Sequence, residues 1–153
     1  LAAEFHVRLV AQGGGDLGDR MARWLREGIT RRGAAAVMGC DVPHCEPHTV
    51  EQAYEALARG RNVLGPATDG GYYFLGMQQI APVLFTGIEW GGNQVLDQTC
   101  MRAREAGIEF ESLATLRDVD TWDDLVSVAC HYAPLQPFTS RSLRPALPVG
   151  KSK

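Results

Sequence analysis

The stretch Gly33-Ala34-Ala35-Ala36-Val37-Met38-Gly39-Cys40-Asp41-Val42-Pro43 decides the fold. Ala34 to Gly39 is almost wholly apolar, as expected for a short strand covered on both faces. The run stops at a carboxylate, and a charge is costly to bury without a partner. Asp41 therefore either faces a cleft at the strand's end or caps the turn that follows. A strand covered on both faces calls for helical layers on either side, and the flanking sequence supplies them.

Upstream, Phe5, Val7 and Leu9 alternate with Glu4, His6 and Arg8, which predicts a half-buried strand over Glu4 to Val10. Gly13-Gly14-Gly15 makes a turn, and Asp16 caps a helix with Leu17, Met21, Trp24, Leu25 and Ile29 on one face. Gly33 ends it. Downstream, Pro47 suits the first turn of a second helix with Val50, Ala53, Tyr54 and Leu57 as its apolar stripe. Arg61 to Gly65, Tyr72 to Met77 and Ile108 to Leu113 read as strands. Asn93 caps a helix that buries Val95, Leu96, Cys100 and Ala103, and Thr121 with Asp124 has the spacing of a capping box before the last helix. The expected architecture is α/β, a three-layer sandwich around a mostly parallel sheet, over residues 1–133. Residues 134–153, rich in Pro, Ser, Arg and Lys, read as an irregular tail.

Composition narrows the function. Of 153 residues, 45% are hydrophobic and 22% charged, with a net charge of −3, so no basic field exists to hold a nucleic-acid backbone. No apolar run approaches the roughly 20 residues of a membrane span. Cys40, Cys45, Cys100 and Cys130 fit no zinc spacing. Cys40 and Cys130 are expected to be buried thiols, and a reducing cytoplasm is the simplest setting.

In a parallel sheet, ligands bind beyond the carboxyl ends of the strands. Gln12, Asp41 and Asp118-Val119-Asp120 each follow a predicted strand. Asp118 and Asp120, two apart in an extended segment, face the same way, and like carboxylates this close call for a cation or hydrogen-bond donors. Asp123 and Asp124 fit a helix N-terminus instead. Asp69-Gly70-Gly71 offers either a base toward a hydroxyl or an ordinary hairpin turn. A glutamine beside exposed amides, Gln12 with Gly14 and Gly15, suits a base edge, though a glycine cluster alone is weak. Trp90 is either a stacking surface or satellite core. His44 and His48 flank Asp41, as solvated loop residues or as the side of a cleft.

The ordered series QGGGDLGDRM, GCDVP, LGPATDGGYYFLG, FTGIEWGGNQVL and LRDVDTWDDL resembles the nucleotide-diphospho-sugar transferase superfamily. Within it, the series is similar to a group of glycosyltransferases associated with radical-SAM and selenodomain proteins. The resemblance implies a Rossmann-like GT-A fold that binds a nucleotide sugar through Mg²⁺ or Mn²⁺. By motif, it implies metal ligation by Asp41 and Asp120. Gln12, Gly14, Gly15, Gly70, Gly71 and Trp90 contact nucleotide or substrate, and Asp69 acts on the acceptor side. The implied reaction is glycosyl transfer to a small-molecule acceptor. Nucleotidyl transfer from a nucleoside triphosphate, as in the guanylyltransferases of the superfamily, is the enzymatic alternative, and a non-catalytic interaction module is the other. The resemblance also implies a preceding strand and a basic glycine-rich phosphate loop that no residue here matches. The expected reading is an N-terminally truncated chain, with a homodimer that covers the edge left by the lost strand as the alternative.

Overall fold

The computed structural model of the chain describes residues 7–139. Four helices and four strands follow in the order α1 Leu17–Arg32, β1 Ala35–Met38, α2 Pro47–Ala58, β2 Asn62–Pro66, β3 Tyr72–Met77, α3 Val95–Glu105, β4 Phe110–Ser112 and α4 Trp122–Ala129. Short 3-10 segments cover Pro82–Leu84 and Ala133–Thr139. The second of these replaces part of the expected irregular tail, and residues 140–153 lie outside the described residues.

The helix ends match their local chemistry. Asp16 and Asp19 exchange side-chain-to-backbone hydrogen bonds at the start of α1, and Gly33 closes it in a left-handed conformation. Thr121 and Asp124 do the same at the start of α4. Helix α3 departs from expectation: Gln94 stands at its N-cap with no side-chain cap, and Asn93 lies outside.

The sheet order is β1-β3-β2-β4. It corrects the expectation of a mostly parallel sheet. Strand β3 pairs antiparallel with both β1 and β2, and only β2 with β4 is parallel. The cause is the Asp69-Gly70 turn, which folds β3 back onto β2 as a hairpin and inserts it beside β1. Strands β1, β2 and β4 nevertheless all run in one direction, so their carboxyl ends share one rim.

Layers cover both faces of the sheet. On one, Leu25 of α1 and Ala103 of α3 pack with Leu64, Leu75, Met77 and Leu84. On the other, Ala53 and Ala56 of α2 pack with Val63 and Phe74, together with Val42 and Leu113. Leu25 and Leu75 are fully buried, each contributing about 1.5–3 kcal/mol of transfer free energy.

Three further expectations are corrected. Val7, Leu9 and Val10 form no strand and are exposed, because no strand of the sheet pairs with them; Glu4 to His6 lie outside the described residues. Strand β1 is an edge strand whose residues alternate between half-buried and exposed, so it is not covered on both faces. Cys40 and Cys130 are exposed, since one follows the open end of β1 and the other ends α4.

Candidate functional site

The common rim of β1, β2 and β4 gathers the acidic residues. Asp41 lies just past β1, Asp69 in the β2–β3 hairpin, and Asp118 and Asp120 after β4. All four line one cleft of about 180 Å³, with Gly71, Tyr72 and Trp90. The backbone laces these loops together. Val119 N–H donates to the Asp41 carbonyl at 2.8 Å, Leu116 N–H to the Pro66 carbonyl at 3.1 Å, and Thr68 N–H to the Leu116 carbonyl at 2.9 Å. Segments far apart in the chain are thus held side by side by hydrogen bonds that leave the carboxylates facing out.

Glycines make room at this rim. A methyl at Gly39 would sit 2.6 Å from Asp41 Oδ1, so the Gly-Cys-Asp order lets the carboxylate fold back over the strand end. Gly70 has φ +92°, and a side chain there would collide with the Asn93 carbonyl. Its own carbonyl accepts from Leu96 N–H at 2.8 Å, which ties the hairpin to the start of α3. Asp69 Oδ1 accepts from Gly71 N–H at 2.8 Å. The turn reading of Asp69 therefore holds, and the residue also lines the cleft.

Burial raises the Asp118 carboxyl above the ordinary aspartate value; a backbone hydrogen bond opposes this, and the negative fields of Asp69, Asp120 and Asp41 add to it. Asp118 thus senses the charge of the other three. Among the described residues, no three His, Cys, Asp or Glu side chains converge as a closed metal centre. The donor set still fits Mg²⁺ or Mn²⁺, hard cations that take carboxylate oxygens and need only one or two from the protein when a substrate supplies phosphate oxygens.

An adjoining lobe of about 450 Å³ shares Leu17, Met21, Asp41, Tyr72 and Tyr73 with the acidic cleft and adds Gln12, Arg20 and Trp24. Gln12 lines this lobe, but its Oε1 accepts from Arg20 Nη1 at 2.7 Å and its carbonyl from Arg23. The Gly14 carbonyl likewise accepts from Arg23, and neither Gly14 nor Gly15 lines the two lobes. Trp90 lies against α1, where Gly18 leaves space: a methyl at Gly18 would come within 2.5 Å of the indole. Its Nε1 is buried without a partner among the described residues, as are Tyr72 Oη and Thr99 Oγ1.

Tyr72 and Arg20 escaped the motif reading. Tyr72 touches both lobes, and its position directly after Gly70-Gly71 was the available signal. Arg20 was marked only by its place one turn after the Asp16 cap. His44 and His48 do not join the acidic cleft. With His131, Tyr132 and Arg117 they line a separate cleft of about 520 Å³ that shares no residue with the two lobes.

Residues 2–92 match the model of the DUF2064 family, described as uncharacterized proteins conserved in bacteria. The chain belongs to the DUF2064 family. Curated proteins contain no match to it. Among solved structures, this DUF2064 chain is similar to a candidate nucleotide-diphospho-sugar transferase from Desulfovibrio desulfuricans G20, determined at 1.90 Å. The TM-score is 0.78 at 30% identity, and the match covers 94% of this chain and 66% of that one. The DUF2064 chain thus spans just under two thirds of its structural neighbour's length. Among the described residues, no helix is long and apolar enough to cross a membrane.

Proposed function

We propose that this chain forms the acidic half of a nucleotide-diphospho-sugar transferase site, with Asp41 and Asp120 as ligands for Mg²⁺ or Mn²⁺. The observation that carries this reading is the convergence of Asp41, Asp69, Asp118 and Asp120 on one cleft beside a lobe holding Gln12 and Arg20. The structural neighbour supports the nucleotide-sugar donor. A divalent cation bound here supplies positive charge for a departing nucleoside diphosphate.

The chain's own residues do the rest. Arg20 is the cation lining the larger lobe and faces the donor's phosphates once Gln12 yields its hydrogen bond. The Tyr72 ring and Met21 wall the junction of the lobes, and Trp90 closes the acidic one. Asp69, fixed through one oxygen by Gly71, holds the other toward the acceptor hydroxyl and takes its proton. Gly70 and Gly71 act through backbone shape, and Gly14 and Gly15 position Gln12 rather than touch the donor.

Titration calorimetry with nucleotide sugars and Mn²⁺ tests the assignment. Asp41→Asn and Asp120→Asn should each weaken metal-dependent binding at least about tenfold, or about 1.4 kcal/mol. Unchanged affinity in both variants refutes the metal pair. Asp69→Asn should lower kcat by about 10²–10⁴ while leaving binding intact. Diphosphate release from nucleoside triphosphates, in place of nucleotide-sugar cleavage, would assign the chain to nucleotidyl transfer instead.

A further inference from the structure

Tyr73 joins the segments that carry the acids. It sits in β3, is only 4% exposed and lines both lobes. Its carbonyl accepts from Gly39 N–H at 2.8 Å, two residues before Asp41. Its hydroxyl donates to the Ala114 carbonyl at 3.0 Å, four residues before Asp118. To get there the ring crosses β2, since the sheet order sets β2 between β3 and β4. Gly65 of β2 makes the crossing possible: a methyl there would lie 2.6 Å from Tyr73 Cζ and 2.9 Å from Cε1. Burial pushes the phenol up to about 12, with the field of Cys45 adding to it, so the hydroxyl stays a donor throughout the neutral range.

The Ala114 carbonyl lies at an irregularity. Strand β4 pairs Ser112 with Leu64, and pairing resumes with Leu116 opposite Ala67. Three residues, 113–115, thus face two, 65 and 66, so this arm carries one extra residue there, as in a β-bulge. Beyond it the side chains alternate: Asp118 and Asp120 line the acidic cleft, and Arg117 lines the separate one. A shift of one residue would exchange those sets, because neighbouring residues face opposite ways. We propose that the Tyr73 hydroxyl is a positioning group for the acidic cleft. By holding the extra residue at Ala114, it keeps Asp118 and Asp120, rather than Arg117, turned toward Asp41. The proposal rests on the reading of that cleft as a divalent-cation site. Packing alone asks only that a buried phenol find some acceptor. This acceptor is reached across a whole strand, over a glycine, at the extra residue of the arm.

Tyr73→Phe keeps the ring over Gly65 and removes only the hydroxyl. Amide hydrogen exchange reports on the arm without any metal. Val119 N–H, bonded to the Asp41 carbonyl, should lose protection by about tenfold or more, while buried Leu75 of β3 keeps its own. Mn²⁺ titrated alone, followed by electron paramagnetic resonance, should bind about tenfold more weakly. Leu84→Ala hollows the core on the opposite face of the sheet, so it lowers stability without touching the arm and should leave Mn²⁺ affinity as it is. A Tyr73→Phe chain that protects Val119 as before overturns the proposal. So does one that loses Val119 and Leu75 protection equally, the mark of a purely structural hydroxyl, or one whose Mn²⁺ affinity falls no further than that of Leu84→Ala. A wild-type chain that binds no Mn²⁺ refutes the cation reading instead, and Val119 exchange then decides the role of Tyr73 alone.

Discussion

Replacing Gly18 by Ala sets two forces against each other. Gly18 is buried in the first turn of α1, where an alanine gains at most about 1 kcal/mol of helix propensity. The new methyl would lie 2.5 Å from Trp90 Cζ2 and 2.6 Å from Cε2 and Nε1. Ordinary carbon contacts are about 3.5–4.0 Å, so the indole must retreat by about 1 Å. Overpacking of this kind costs about 1–3 kcal/mol. The cost exceeds the gain, and the net loss of about 1 kcal/mol lowers Tm by roughly 2–4 °C. The displaced ring moves toward the acidic cleft, so nucleotide-sugar binding should weaken as well. Urea unfolding followed by circular dichroism measures the stability, and Trp90 emission in a Trp24→Phe, Trp122→Phe background reports the displacement of the ring. Adding Trp90→Phe should recover part of the loss, with a coupling energy above about 0.5 kcal/mol. A Gly18→Ala protein that is more stable, with Trp90 emission unchanged, refutes the wedge.

Two other predictions follow from the same geometry. Gly70→Ala forces a side chain into left-handed backbone and against the Asn93 carbonyl, at a cost above about 1–3 kcal/mol; hydrogen-exchange protection of the Leu96 amide should drop, and unaltered protection argues against the tether. Asp124 accepts from Thr121 Oγ1 at 2.6 Å, Thr121 N–H at 3.0 Å and Arg117 Nη1 at 3.2 Å, which hold its pKa below the ordinary 3.8. A depressed carboxylate stabilises the fold above its unfolded pKa and loses that contribution as pH falls through the folded one. Asp124→Asn should therefore flatten the acid side of the stability–pH curve, measured by urea midpoints below about pH 4; coincident curves count against the cap.

Local chemistry was legible wherever a residue's own neighbours decide its role. Asp16, Gly33, Pro47 and the Thr121–Asp124 pair mark helix ends because capping is a matter of a few adjacent groups. Asp41, Asp118 and Asp120 were legible as residues of one rim because each follows a strand. Pairing was less legible. The apolar run at β1 reports low polarity, which suits a central strand and an edge strand of small residues equally. The Asp69-Gly70-Gly71 turn already carried the hairpin signal, and giving it precedence over the α/β alternation yields the antiparallel β2–β3 pair. The β1–β3 pair is long-range and leaves no local mark. The hydrogen bond on Gln12 was not legible for a similar reason: its side-chain oxygen accepts from Arg20, a partner set by the curl of residues 12–15 onto α1. Cys40 and Cys130 have apolar neighbours in sequence, yet both are exposed.

The hydrogen bond from Val119 N–H to the Asp41 carbonyl also bears on how fast the domain opens. It closes between segments far apart in the chain, so it forms after the local helices and the β2–β3 hairpin are in place. The unfavourable fields of Asp69, Asp120 and Asp41 on Asp118 are met only at that stage. Such late interactions act on the unfolding rate and leave the folding rate nearly untouched. Neutralising one carboxylate, or adding Mg²⁺, should slow unfolding in stopped-flow experiments with little change in the refolding limb. A cation held in the acidic cleft would then act as a latch: it would set the lifetime of the folded chain more than the speed with which it forms.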